Sequence, residues 1–253
     1  MVGIDEHIRM VLARHTVDTG LYSPVRGVQA TIDPVLRRWG AHYIVDIRPS
    51  GSFAKGTAVH GGTDIDIFIS LTSTLSDTLK SIYDTLFNVL SQAGYTARRQ
   101  NVSIGITVGG WKVDVTPGRR QDQYGNYHSL WSNKASNWLQ TNINEHIRVV
   151  SGSGRIDEIR LMKIWRNRSG LDWPSFYLEL FVIDALKGAR IGAVQDNVVT
   201  TFRAIDQSIS TRRLIDPSNT NNVVSATLTA SGKAALAVAA RSALNSSWET
   251  VFR

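Results

Sequence analysis

The chain has 253 residues, of which 42% are hydrophobic and 19% charged, a balance that is globular rather than disordered and supplies a core for one bilobed domain or two small ones. It has no cysteine, which excludes a disulfide framework and any thiolate zinc site and suits the cytoplasm. The formal net charge of +7 favours polyanionic partners such as nucleic acid, nucleotides or anionic surfaces, or serves only solubility.

In chain order, residues 4–15 read as a helix. Charges are scattered through this start, and it lacks the apolar core of about 7–15 residues that a signal peptide needs. A second helix follows "LYSPVRG" and runs to about Trp39, with Pro34 expected to kink or restart it. Residues 42–47 read as a strand. The run "DIDIFISL" (64–71) alternates and is β-branched, so it reads as another. Residues 77–94 carry apolar side chains at helical spacing and stop at Gly94. The stretch 101–118 reads as two strands joined by a tight turn at Gly109-Gly110, with Pro117-Gly118 closing the second. Beyond residue 140 the pattern turns helical, with segments at 142–150, 155–167, 174–188, 195–210 and 229–247. No window reaches about 18 uncharged apolar residues, so no membrane span is expected.

This succession gives an α+β fold: a mixed-sheet lobe over 1–140 and a helical lobe over 141–253. The polar and aromatic stretch 118–142 is read as the seam, and a cleft between two lobes is a common ligand site.

The chemistry concentrates in "GSFAKGTAVHGGTDIDIFISL" (51–71). On a strand, Asp64 and Asp66 would share one face. Two close carboxylates repel unless a cation lies between them, and Mg²⁺ suits oxygen ligands of this kind. An isolated pair of this type more often faces solvent. Here it follows Gly51-Ser52 and Gly61-Gly62-Thr63, and a third carboxylate, Asp114, sits mid-strand in "WKVDVTPG". Three such groups can hold two metal ions for phosphoryl transfer. Gly51 allows close approach of backbone to phosphate, the short helix "FAKGT" offers N–H groups, and Ser52 adds a hydroxyl.

These residues resemble the DNA polymerase β-like nucleotidyltransferase superfamily, whose pattern is a Gly-Ser, a spacer, an Asp-x-Asp and a third Asp on a later strand. "LMKIWRN" (161–167), "SFYLELF" (175–181) and "IDPSNTNNVVSA" (215–226) resemble further elements of its poly(A) polymerase and oligoadenylate synthetase branches. "LYSPVRG", "VDVTPGRRQ" and "WLQTNINEHI" are similar to the bacterial CD-NTases, relatives of cyclic GMP–AMP synthase. The likeness spans about residues 20–245.

The resemblance implies a polymerase β-like fold packed on a helical lobe. It further implies an enzyme joining NTPs into a cyclic di- or trinucleotide second messenger that activates an effector in anti-phage defence. Gly51 and Ser52 would hold donor phosphates. Asp64, Asp66 and Asp114 would bind two Mg²⁺ or Mn²⁺ ions. Lys163 and Ser175 would contact the triphosphate, and Phe176 or Tyr177 would stack on a base. "FYLELF" also reads as the core of a buried helix, and Lys163 as a surface lysine. Arg119 and Arg120 could hold phosphate or pair structurally, while His60 reads as a loop residue. The chain leaves little length for a zinc insertion, so double-stranded nucleic-acid sensing is not implied and an activator stays open.

Asp114 is the candidate proton acceptor in the expected two-metal transfer. The rival enzyme is a template-independent RNA nucleotidyltransferase, CCA-adding or toxin-like, which shares all these residues. The chain has no zinc knuckle, RNP pattern or basic tail to support RNA binding. A catalytically idle nucleotide sensor is the third reading.

Overall fold

The computed structural model describes residues 3–18, 20, 22–61 and 64–252. Gly62 and Thr63 of the glycine-threonine run lie outside the described residues. The helices are α1 (Ile4–His15), α2 (Pro24–Gly40), α3 (Gly51–Lys55), α4 (Leu79–Gln92), α5 (Ile143–Ser151), α6 (Ile156–Arg168), α7 (Ser175–Ala185), α8 (Val194–Ser208), α9 (Ala230–Leu244) and α10 (Trp248–Val251). The strands are β1 (Ile44–Pro49), β2 (Ile65–Leu71), β3 (Arg98–Arg99), β4 (Ile104–Val108), β5 (Trp111–Arg120), β6 (His128–Ser132), β7 (Asn137–Thr141), β8 (Ile215–Asp216) and β9 (Asn219–Val223).

The chain divides into two compact units, and the division is not linear. One unit comprises Asp18–Lys55 and Asp64–Ile147; the other comprises Met1–Val17, Gly56–Thr63 and Arg148–Arg253. The first helix and the segment after α3 therefore belong with the C-terminal helices. The reason is hydrophobic: Ile8 and Val11 of α1 and Val59 of that segment are buried in the helical core.

The sheet unit is built on the strand order β1-β2-β5-β4-β3, extended by β6 and β7 beside β5. The β2–β5 pair is parallel and the other pairs are antiparallel. Helix α2 covers the sheet with Val25, Val28, Ile32 and Leu36, which recur at helical spacing and are buried. It starts earlier than the sequence reading placed it, because Ser23 caps it by accepting from the Val25 N–H and Pro24 opens its first turn. Pro34 does not restart it. The carbonyl that Pro34 leaves without an N–H is Ala30's, and both residues face water.

The glycine pair at 109–110 makes the expected tight turn, with φ of 54° and 83°, and pairs Val108 with Trp111. Strand β5, however, does not end at Pro117-Gly118. It runs on to Arg120, since Pro117 falls where β5 has left β4 and not yet met β6, and a missing N–H breaks no ladder on that side. The stretch 118–142 is likewise not a loose seam but the end of β5 plus the β6–β7 hairpin of the same sheet. Its anchor is His128, 1% exposed and edge-on to Phe68 with ring centroids 4.9 Å apart.

In the helical unit, α6, α7 and α8 pack through Leu161, Met162, Trp165, Leu178, Phe181, Val198 and Phe202, all buried. Each such side chain contributes about 1.5–3 kcal/mol relative to exposure. Two features went unread in the sequence: α10 and the β8–β9 hairpin. In the hairpin, buried Asp216 accepts from the Ser218 N–H and hydroxyl and from Asn222, making an Asx turn.

Candidate active site

The parallel β2–β5 pairing sets Asp66 directly opposite Asp114, with Ile65 opposite Val113 and Ile67 opposite Val115. Residues in register on adjacent strands share a face, so both carboxylates project to the same side. The neighbours alternate into the core: Ile65, Ile67, Val113 and Val115 are each 0% exposed, while the two aspartates are half-buried. The row continues across β4 and β3, where Asp114 faces Gly105 and Gly105 faces Arg98.

Asp64 lies just before β2 rather than within it and is exposed. Its charge nevertheless reaches Asp114. Burial raises the proton affinity of Asp114 above the ordinary carboxylate value, and the negative charge of Asp64 raises it further; a hydrogen bond from Gln100 and the charge of Arg98 act the other way.

Gly51 opens α3 with φ of 56°, a left-handed conformation that favours glycine. A side chain there would also collide with the Asp66 carboxylate, which lies against the Gly51 Cα. The Ser50 N–H donates to the Asp66 carbonyl at 2.8 Å, tying the Gly-Ser turn to the strand that carries the acids. Ser52 follows in the same short helix, half-buried. One unit thus brings together Gly51, Ser52, Asp64, Asp66 and Asp114. Among the described residues no three His, Cys, Asp or Glu side chains converge on a common metal-coordinating point.

The donor set fits a hard divalent cation. It is all carboxylate oxygen, and the crowding of negative charge felt at Asp114 is what such an ion offsets.

The remaining expected residues lie in the helical unit. Lys163 is not the surface lysine of the alternative reading. It is 2% exposed, and its ammonium donates to Glu179 Oε1 at 2.7 Å, to Thr57 Oγ1 at 2.9 Å and to the Thr57 carbonyl at 3.3 Å. Ser175 begins α7, is exposed, and accepts from Arg166 Nη1 at 2.9 Å. Phe176 is partly buried against the helical core.

Tyr177 is a correction. It is fully buried, edge-on to Trp173 and Phe181, and burial pushes its hydroxyl pKa up to about 12. Its complete burial leaves no open ring face for a base.

Arg119 donates to the Leu75 and Asp77 carbonyls of the β2–α4 connection, and Arg120 to Ser70 Oγ of β2, so both make structural hydrogen bonds within the sheet unit. His60 is exposed, and its N–H pairs with the His15 carbonyl. Sequence reasoning missed Gln100, Gly105, Arg98 and Arg166. Only register across β3, β4 and β5 brings the first three to Asp114, and nothing in their local sequence signals it.

No protein-family model and no curated protein sequence matches the chain. Solved structures do. CdnC from E. coli MS115-1, solved with ATP, is 20% identical and aligns over 94% of this chain and 89% of its own with a TM-score of 0.75. The CD-NTase CdnG from Bradyrhizobium diazoefficiens, in complex with GTP, is 14% identical over 96% of this chain and 91% of its own, with a TM-score of 0.76. The Cid1 poly(U) polymerase, with Mg and 3′-dATP bound, is 13% identical over 97% of each chain, with a TM-score of 0.68. The chain has the α+β fold of polymerase β-like nucleotidyltransferases, in the form seen in CD-NTases. No helix among the described residues is long and apolar enough to cross a membrane.

Proposed function

We propose that the protein is a nucleotidyltransferase that joins NTPs into a cyclic di- or trinucleotide. The observation that carries this reading is the in-register pair Asp66 and Asp114 beside the Gly51 turn, in a fold shared with enzymes solved with ATP and GTP. Asp64, Asp66 and Asp114 would hold divalent metal, Mg²⁺ or Mn²⁺, as two ions. Metal bound there supplies charge neutralisation at the triphosphate and a more acidic acceptor hydroxyl.

The chain's own groups do the rest. Gly51 and Ser52 receive the donor phosphates at the start of α3. The acceptor 3′- or 2′-hydroxyl oxygen bonds to the donor α-phosphorus as the bond to pyrophosphate breaks. The hydroxyl proton passes to Asp114, the candidate base. A second round closes the ring. Lys163 contacts the triphosphate by exchanging one of its hydrogen bonds for a phosphate oxygen. Ser175 joins it, and Phe176 stacks on a base. The product acts in the cytoplasm as a diffusible signal to an effector.

The test is to incubate the purified chain with NTPs pairwise and Mg²⁺ and weigh the products. Small phosphatase-resistant products are expected, and Asp64→Asn with Asp66→Asn should abolish pyrophosphate release. Turnover retained by that variant overturns the site. Extension of an added RNA instead of small products turns the reading to an RNA nucleotidyltransferase, and nucleotide binding without turnover to a sensor.

A further inference from the structure

Gln100 is held from every side. Its backbone N–H donates to the Ser103 carbonyl at 3.0 Å, and its backbone carbonyl accepts from the Tyr83 hydroxyl at 2.9 Å and from Asn133 Nδ2 at 2.6 Å. The buried Ser103 hydroxyl donates to Gln100 Oε1 at 3.0 Å. An ionised Asp114 can only accept, so the NH₂ end of the amide faces it and Oε1 is left for the serine hydroxyl. It donates from Nε2 to Asp114 Oδ1 at 2.7 Å.

To reach Asp114, the side chain must cross β4. It crosses at Gly105, the residue opposite Asp114 in register. A Cβ at position 105 would lie 2.6 Å from Gln100 Nε2 but 3.4 Å from Asp114 Oδ1. A Cβ there would therefore displace the glutamine amide while making only ordinary contact with the aspartate. Its backbone is ordinary strand, so no conformational demand explains it.

We propose that Gln100 is a positioning residue for Asp114, reaching it through a gap that Gly105 keeps open. The amide donor holds Oδ1, which restrains the carboxylate's rotation and leaves Oδ2 for a second partner. Because the donor is neutral, Asp114 keeps its full charge for a cation or a proton; a lysine in its place would form an ion pair and spend that charge. Partners of this kind behind a metal-binding side chain are worth roughly 10–100-fold in metal affinity or activity.

The proposal rests on Asp114 acting as the site carboxylate, and the experiment separates the two claims. Four proteins are compared: Gln100→Ala, Gly105→Ala, the double variant and Asp114→Ala. Each is checked for an intact thermal transition, then measured for kcat, for NTP KM, and for Mn²⁺ binding by electron paramagnetic resonance without nucleotide. Gln100→Ala should lose roughly 10–100-fold in kcat and weaken Mn²⁺ binding, with KM nearly unchanged. Gly105→Ala, which retains the glutamine but blocks its path, should reproduce that loss. In the double variant Gly105→Ala should cost nothing further, because the group it obstructs is gone. Gln100→Ala with normal kcat and Mn²⁺ binding overturns the proposal. So does a Gly105→Ala loss of equal size in both backgrounds. If Asp114→Ala keeps turnover, the functional reading itself fails; if it is dead while Gln100→Ala is normal, only the positioning role fails.

Discussion

A single side chain in the sheet carries a proton-linked stability term. His128 Nδ1–H donates to the Asn126 carbonyl, so Nε2 accepts from the Ser70 hydroxyl, whose oxygen in turn accepts from Arg120. Both ring nitrogens are thereby used in the neutral form, and burial holds the pKa down to about 4 from the ordinary 6.5. The unfolded chain therefore binds this proton more readily than the folded one. The stabilisation is complete above pH 6.5 and is lost as pH falls toward about 4, amounting to about 3 kcal/mol for a shift of this size. Urea unfolding across that window should show His128→Gln with a shallower fall in stability than the parent. Parallel curves would mean that His128 is not the group responsible. Gly51 belongs to the same scale: its left-handed backbone and the Asp66 carboxylate against it leave room for no other residue.

Between elements, the Lys163–Glu179 pair is a buried polar tie that joins α6 to α7 with both side chains at most 2% exposed. Thr57 completes it by donating to Glu179 Oε1 at 2.7 Å, and so fixes the segment after α3 to the helical unit. Removing one partner of a buried pair leaves an uncompensated charge and costs about 3–5 kcal/mol, whereas replacing both with apolar groups restores much of it. Lys163→Met should thus lower Tm sharply, and Lys163→Met with Glu179→Leu should recover most of it. NTP KM should remain raised in the double variant if the ammonium also reaches the triphosphate. Recovery of KM together with Tm would leave Lys163 a purely structural residue.

At the scale of the whole molecule, the formal charge of +7 bears on how a polyanionic substrate is gathered. At physiological ionic strength the screening length is about 8 Å, so long-range attraction fades while contacts inside a site survive. Raising salt should lift NTP KM and leave kcat nearly constant. A parallel loss of kcat would instead point to salt acting on the acidic row itself.

What the sequence determined by itself was local. Apolar spacing foretold α1, α4 and the C-terminal helices; alternation foretold β2; and the glycine pair foretold the β4–β5 turn, because these depend on residues a few positions apart. The Gly-Ser and Asp-x-Asp motifs were legible for the same reason. Tertiary structure alone decided how they combine. Parallel register set Asp66 against Asp114, moved Asp64 outside the strand, and carried Gln100 across Gly105 to the carboxylate. It also buried Tyr177 and Lys163, both of which the family resemblance had suggested for a nucleotide, and drew α1 into the helical unit. Burial and register depend on which elements pack together over long separations, and that free energy of packing has no signature in a short window of sequence.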